Sequence, residues 1–293
     1  MKRKRKKRRI AFPLLVIITG LFFIPWAMKP ENFREQKNQI YAFLSSGFLK
    51  DSYNAKSLIL LDRSNDSVFI SKNENEQQIP ASLSKLFVIE YAAEISDLDS
   101  IVTARQEAIA LTKPGSSVAG IKPKDYFLHN LFAAMLIPSG NDAAYVVADY
   151  CGGLLSPQAG TSRERVEIFM KSLNGHLEKN GYQGTVLQDP SGFDLHALTT
   201  VKDLKLVLDR LLEYSWFRDI IAQSSYTTAL PDGSTQTWKN TNAFLDPVSE
   251  YYNENVIGSV HTAGQVAERR QQVKSAVLSC HIPLTAAAQV VEQ

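Results

Sequence analysis

Ile79-Pro80-Ala81-Ser82-Leu83-Ser84-Lys85-Leu86-Phe87-Val88-Ile89 carries the decisive pattern of this chain. A proline turn runs straight into an apolar helical repeat, and a serine and a lysine stand three residues apart at the junction. A serine hydroxyl is a poor nucleophile unless a base takes its proton. A lysine three residues later on a helix lies one turn along the same face, with Cβ atoms roughly 5–6 Å apart. The serine is expected at the helix start, where free N–H groups and the positive dipole end favour developing negative charge. Ser82 and Lys85 are therefore a candidate nucleophile and base. Alone, S-x-x-K is a weak signal, because an N-cap serine followed by a solvated lysine spells the same letters.

A second stretch strengthens it. In Leu136-Ile137-Pro138-Ser139-Gly140-Asn141-Asp142-Ala143-Ala144 a short turn presents a hydroxyl and an amide two residues apart, just before another apolar run. Ser139 can relay a proton, and Asn141 can hold an amide by donating and accepting together. The plain alternative is a Ser/Asn cap on an internal helix. Apolar runs at Phe87–Ile95, Leu128–Leu136 and Ala143–Tyr150 predict buried helices. The spacing in Arg165–Lys179 (Val166, Phe169, Met170, Leu173, Leu177) and in Thr200–Tyr214 predicts amphipathic ones.

These segments, taken in order, resemble the serine-type D-alanyl-D-alanine carboxypeptidases, the low-molecular-weight penicillin-binding proteins. S-x-x-K is the first motif of that set, and Ser139-Gly140-Asn141 is similar to the second. Ser57–Asp62 with Ser67–Ser71 resembles the opening hairpin, and Gly115–Asp125 the loop before the second motif. Asp189-Pro190-Ser191-Gly192-Phe193 resembles an Asn-Pro-x-Gly-Leu turn, with Asp for Asn. Thr237–Asn242 resembles the stretch before the third motif. The match is collinear over about residues 50–258.

The resemblance implies an α+β fold of the β-lactamase/transpeptidase type: an antiparallel sheet flanked by helices, with a helical subdomain across the cleft. It also implies acyl transfer without metal or organic cofactor. Ser82 would attack a peptidoglycan stem peptide at the penultimate D-alanine, Lys85 would act as base, Ser139 as proton relay and Asn141 as amide holder. β-Lactam antibiotics would acylate the same serine.

The third motif departs from the pattern. The family has Lys-Thr-Gly on a sheet strand, and this chain reads His261-Thr262-Ala263-Gly264. His261 and Thr262 are the candidates to bind the substrate carboxylate, yet an ordinary imidazole is mostly neutral at pH 7. Residues 259–293 contain no aromatic residue and no aspartate. They do not resemble the further strands and helix that the family implies. The expectation is an incomplete sheet, from either a shifted reading frame after Gly258, which we favour, or a divergent end. A damaged third motif also leaves open a membrane-anchored remnant that keeps the serine but lacks turnover. A class A β-lactamase is disfavoured. Its glutamate lies in Glu-x-x-Leu-Asn, whereas Glu164, Glu167 and Glu178 have no such context.

The N-terminus separates into segments by charge. Residues 2–9 are eight consecutive Lys or Arg, and Ile10–Met28 carries no charge. About 20 apolar residues cross a bilayer as a helix, and the basic flank stays in the cytoplasm. A nucleic-acid-binding tail is a poor reading of a basic run with an apolar span behind it. Large residues before Ala27 make a poor cleavage site, so an uncleaved anchor is favoured over a signal peptide. Without the eight basic residues, 24 Lys and Arg face 30 Asp and Glu, a net of about −6. The organisation expected is a cytoplasmic tail (1–9), a single transmembrane segment (10–28), a stalk (29–50), an extracytoplasmic catalytic domain (51–258) and an atypical tail (259–293). Two cysteines, Cys151 and Cys280, are too few for a disulfide framework, and no Cys/His spacing suggests zinc. Whether the two pair cannot be read from spacing.

Overall fold

Helix α1 (Ser84–Ile95) is buried from Ser84 through Ala92. A helix enclosed on every side is stable only in an interior, and its Leu86, Phe87, Val88 and Ile89 are almost fully inaccessible. Around it pack α3 (Leu128–Leu136), α4 (Asn141–Leu155), α5 (Ser162–Lys179) and α6 (Val201–Leu212). The computed structural model describes residues 55–63, 67–252, 256 and 258, with the backbone of 275–277. The basic tail, the span 10–28, the stalk, His261, Thr262 and Cys280 lie outside the described residues. Among the described residues no helix is long and apolar enough to cross a membrane.

The expected helices are present. The run Leu128–Leu136 forms α3 at those bounds, and Arg165–Lys179 lies within α5. The predicted stripe of α5 is buried as Val166, Phe169, Met170, Leu173 and Leu177. Helix α6 buries Val201, Leu204, Val207, Leu208 and Leu211. Side-chain caps start both: Thr161 Oγ1 accepts from Glu164 N at 3.2 Å, and Thr200 Oγ1 from Asp203 N at 3.1 Å.

Strands β1 (Ser57–Asp62) and β2 (Ser67–Lys72) pair antiparallel, with a bulge between Leu60 and Leu61. Ile59 and Leu61 of β1 meet Val201, which fastens this sheet to the helical core. Two two-stranded antiparallel sheets stand apart, β3 (Ile101–Thr103) with β4 (Asp125–Phe127) and β5 (Ser225–Ala229) with β6 (Thr235–Lys239). Two short helices, α2 (Gln106–Ile109) and α7 (Ser215–Ile221), complete the described elements of this kind. The architecture is α+β.

One expectation needs correction. The sheet is not wholly antiparallel: β7 (Ser275–Val277) joins β1 in parallel, in the order β2-β1-β7. This strand comes from the compositionally atypical tail. A three-residue strand needs only backbone groups facing an open edge, which the composition of the tail does not reveal. The pairs β3–β4, α2 and α7 also escaped the sequence reading, because elements this short do not complete a hydrophobic period.

Helices α4 and α5 pack backbone to backbone at Gly152, where a Cβ would lie 1.9 Å from the carbonyl oxygen of Arg165. At the neighbouring Gly153 the nearest atom would be 3.4 Å away. Gly152→Ala is therefore expected to force the helices apart and cost about 1–3 kcal/mol. Gly153→Ala is expected to be neutral or to gain up to about 1 kcal/mol from helix propensity. Urea denaturation of the two variants checks the contrast, and equal stabilities would contradict it.

Candidate active site

The proline turn and α1 deliver Ser82 and Lys85 together. Ser82 does not lie in the first α-helical turn. It belongs to a 3-10 turn, Ala81–Leu83, that runs into α1, and Lys85 is the second residue of the α-helix. In a 3-10 turn side chains at i and i+3 nearly eclipse, and Lys85 Nζ lies 3.0 Å from Ser82 Oγ. Ser139, in the turn between α3 and α4, holds φ +59°. That left-handed conformation is costly for a residue with a side chain. It brings Ser139 Oγ to 3.4 Å from the same nitrogen. Ser82 is half-buried, whereas Lys85 and Ser139 are 1% and 3% exposed.

The third partner of Lys85 is not a side chain. The amine donates to the carbonyl oxygen of Ser191 at 3.1 Å. Burial lowers the Lys85 pKa to about 7, opposed by the charges of Asp189 and then Asp142. A neutral amine has two N–H bonds and one lone pair. A carbonyl only accepts, so one N–H goes to Ser191. One N–H and the lone pair remain for Ser139 and Ser82. That set is the arrangement a base needs beside a hydroxyl nucleophile.

Two carboxylates build the frame. Asp189 accepts from Ser191 N at 2.7 Å, Ser191 Oγ at 2.5 Å, Phe193 N at 3.3 Å and Asp194 N at 2.6 Å. The turn so folded places Gly192 at φ +76°, where a Cβ would sit 1.8 Å from the Ala81 carbonyl oxygen. Only glycine fits there, and Ala81 itself takes φ +47°. Asp142, in the first turn of α4, accepts from Ala119 N and Ile121 N, both at 2.8 Å, and so moors the 117–121 segment. Trp238 Nε1 donates to Ala119 O at 3.0 Å, which brings β6 to the same segment.

Asn141 is 5% exposed, and its Oδ1 has no hydrogen-bond partner. Its backbone N–H donates to Ser117 O at 2.9 Å. A buried acceptor without a partner is unusual. It stands one residue beyond the Ser139-Gly140 turn that carries the Ser139 hydroxyl to Lys85.

Ser82, Lys85, Ser139 and Asn141 are thus all described, and the first three converge on one nitrogen. His261 and Thr262 lie outside the described residues. The sequence reading missed the Ser191 carbonyl and the work of Asp142 and Asp189. The Asp189-Pro190-Ser191-Gly192 spelling was the available signal, since Asp before a Pro-x-Gly turn folds onto its own backbone. Glu164 instead accepts from Gly160 N at the start of α5. Cys151 is a buried free thiol, its pKa pushed up by burial. Among the described residues, Glu90, Glu94 and His176 group closely enough to hold a metal ion. Glu90 already accepts from Tyr182 OH at 2.6 Å and from Arg210 at 3.0 Å, so its charge is compensated by protein groups.

The profile of the D-alanyl-D-alanine carboxypeptidase family matches residues 46–267. D-alanyl-D-alanine carboxypeptidase DacC of Escherichia coli is 32% identical over 166 residues, covering 53% of this chain and 39% of that protein. DacF of Bacillus subtilis is 23% identical over 205 residues, covering 69% of this chain and 48% of that protein. The chain thus spans about two-fifths to half the length of these curated relatives. A crystal structure of a Streptomyces DD-transpeptidase superposes with TM-score 0.61 at 22% identity, over 72% of this chain and 80% of that one. The fold is that of the DD-transpeptidases.

The buried amine has a stability consequence. The Lys85 pKa is depressed from 10.5 to about 7 on folding. Between those values the unfolded chain binds the extra proton, so native stability rises with pH there. Lys85→Met is expected to be more stable than wild type below about pH 7. The margin is at most several kcal/mol, at about 1.4 per pKa unit, less whatever the stranded partners cost. It should shrink steadily as pH rises from about 7 to about 10. Thermal denaturation across that range checks the trend, and a pH-independent difference would contradict it.

Proposed function

This chain belongs to the D-alanyl-D-alanine carboxypeptidase family, and on that basis we propose that it removes the terminal D-alanine from peptidoglycan stem peptides through an acyl-enzyme on Ser82. The observation that carries the reading is the Lys85 amine, buried, with a pKa of about 7 and set between two serine hydroxyls. Neutral Lys85 takes the proton of Ser82 as its oxygen bonds to the carbonyl carbon of the penultimate D-alanine. The C–N bond to the terminal D-alanine then breaks, and Ser139 passes the proton on to the departing nitrogen. Water hydrolyses the ester and frees Ser82. The unpartnered Asn141 Oδ1 accepts the substrate amide N–H, which is the bond it lacks in the free protein. A β-lactam presents the same acyl carbon and so acylates the same serine.

The substrate carboxylate falls to Thr262, which donates its hydroxyl, and to His261, which attracts it when protonated. The span 10–28 serves as a single-pass membrane anchor that holds the domain outside the cytoplasm. The support is its length without charge and the eight basic residues before it.

Release of D-alanine from a stem peptide ending in D-Ala-D-Ala tests the activity, with Ser82→Ala as the blank. No release above that blank would overturn the carboxypeptidase reading. The role of Lys85 is separable by Lys85→Arg, which keeps a cation but cannot give up its proton. Penicillin acylation of that variant is expected to fall at least about 100-fold, the usual contribution of a general base. Near-normal acylation would make Lys85 only structural.

A further inference from the structure

The Asp189 turn does more than join α5 to α6. Its carboxylate takes four donors from residues 191–194, and the peptide it orients is the one whose carbonyl receives Lys85. The same turn sets Gly192 against the Ala81 carbonyl, one residue before Ser82. One side chain therefore controls both the third ligand of the amine and the backbone beside the nucleophile.

We propose that Asp189 is a positioning residue for the base, folding the 189–194 turn so that the Ser191 carbonyl holds Lys85 Nζ between Ser82 and Ser139. This rests on the acyl-transfer reading above and assigns a part to a residue outside the three motifs. The geometry leaves Asp189 off the reacting atoms, since Ser191 stands between it and the amine. Its charge acts at the same time. Burial alone drives the amine toward very weak basicity, and Asp189 is the largest influence opposing that. A base works best with a pKa near the working pH. The other charged or titratable groups here are Asp142, Tyr145 and Asp194, with Arg163 acting on Tyr145 and Lys113 on Asp194. Asp142 on α4 also favours the charged amine. Tyr145 on α4 has its phenol pushed up to about 12 by burial and by Asp189, so it stays neutral. Asp194 is engaged by the backbone and ring of His196.

The test compares Asp189→Asn, Asp189→Ala and wild type as full chains. Lys85 is followed by carbon-13 NMR of labelled lysine, assigned with Lys85→Arg, and Ser82 acylation is followed with fluorescent penicillin. Asp189→Asn keeps the shape and the Oδ1 acceptor of three of the four donors, loses the Oδ2 bond from Asp194 N, and removes the charge. Its Lys85 midpoint is expected to fall by about half a pH unit or more, the effect of one nearby charge in a screened interior. Acylation should persist and become about threefold faster relative to wild type at pH 6, following the larger neutral fraction. Asp189→Ala should lose the turn, with acylation slowed at least about tenfold at every pH, and Asp189→Asn should restore most of that loss. An unmoved midpoint in Asp189→Asn, or wild-type acylation in Asp189→Ala, overturns the proposal. Wild-type protein that is not acylated at all overturns the functional reading instead, and the NMR comparison still decides the role of Asp189.

Discussion

The burial of one amine is the constraint on which the rest of this structure depends. An unpaired lysine side chain is costly inside a protein, and the cost is reduced by giving up the proton. Lys85 sits on a helix buried from Ser84 through Ala92, with Leu86, Phe87 and Val88 following it. Its three polar partners come from three places in the chain: the 3-10 turn before α1, the turn between α3 and α4, and the connection from α5 to α6. Strain is concentrated in the same places. Ala81 and Ser139 both hold positive φ without being glycine, at a cost of about 1–3 kcal/mol each. The surrounding helices hold these conformations in place.

The two carboxylates show how a negative charge can shape a site without touching its chemistry. Asp142 secures the 117–121 segment to α4, and Asp189 folds the turn that presents Ser191. Both also act on the amine through space, against the effect of burial. Geometry and basicity are therefore coupled. Moving Asp189 would alter where Lys85 points, and moving either carboxylate would alter how readily it accepts a proton.

Much of this was legible in the sequence, because side chains carry it. The Ser82–Lys85 spacing, the Ser139–Asn141 turn and the apolar stripes of the long helices are written in residue types, and the helices appear where the periodicity places them. What was not legible is carried by backbone. The Ser191 carbonyl could belong to any residue, and the left-handed φ of the turn falls on Ser139 and not on Gly140 beside it. The parallel strand β7 requires only an open edge, so the odd composition of the tail gave no hint of it. The position of Ser82 also shifted: a 3-10 turn, and not the α-helix itself, sets its distance to Lys85. Short strands and helices escaped for want of a full hydrophobic period.

The central claim is that a serine is activated by a buried amine that loses its proton near neutral pH. The most direct measurement is the site and rate of covalent penicillin labelling of the 293-residue chain, read by peptide mass spectrometry across pH. The account predicts a single adduct, on Ser82, forming faster as pH rises through about 7 and Lys85 becomes neutral. An adduct on another residue, or a Ser82 adduct whose rate does not change across that range, would contradict it.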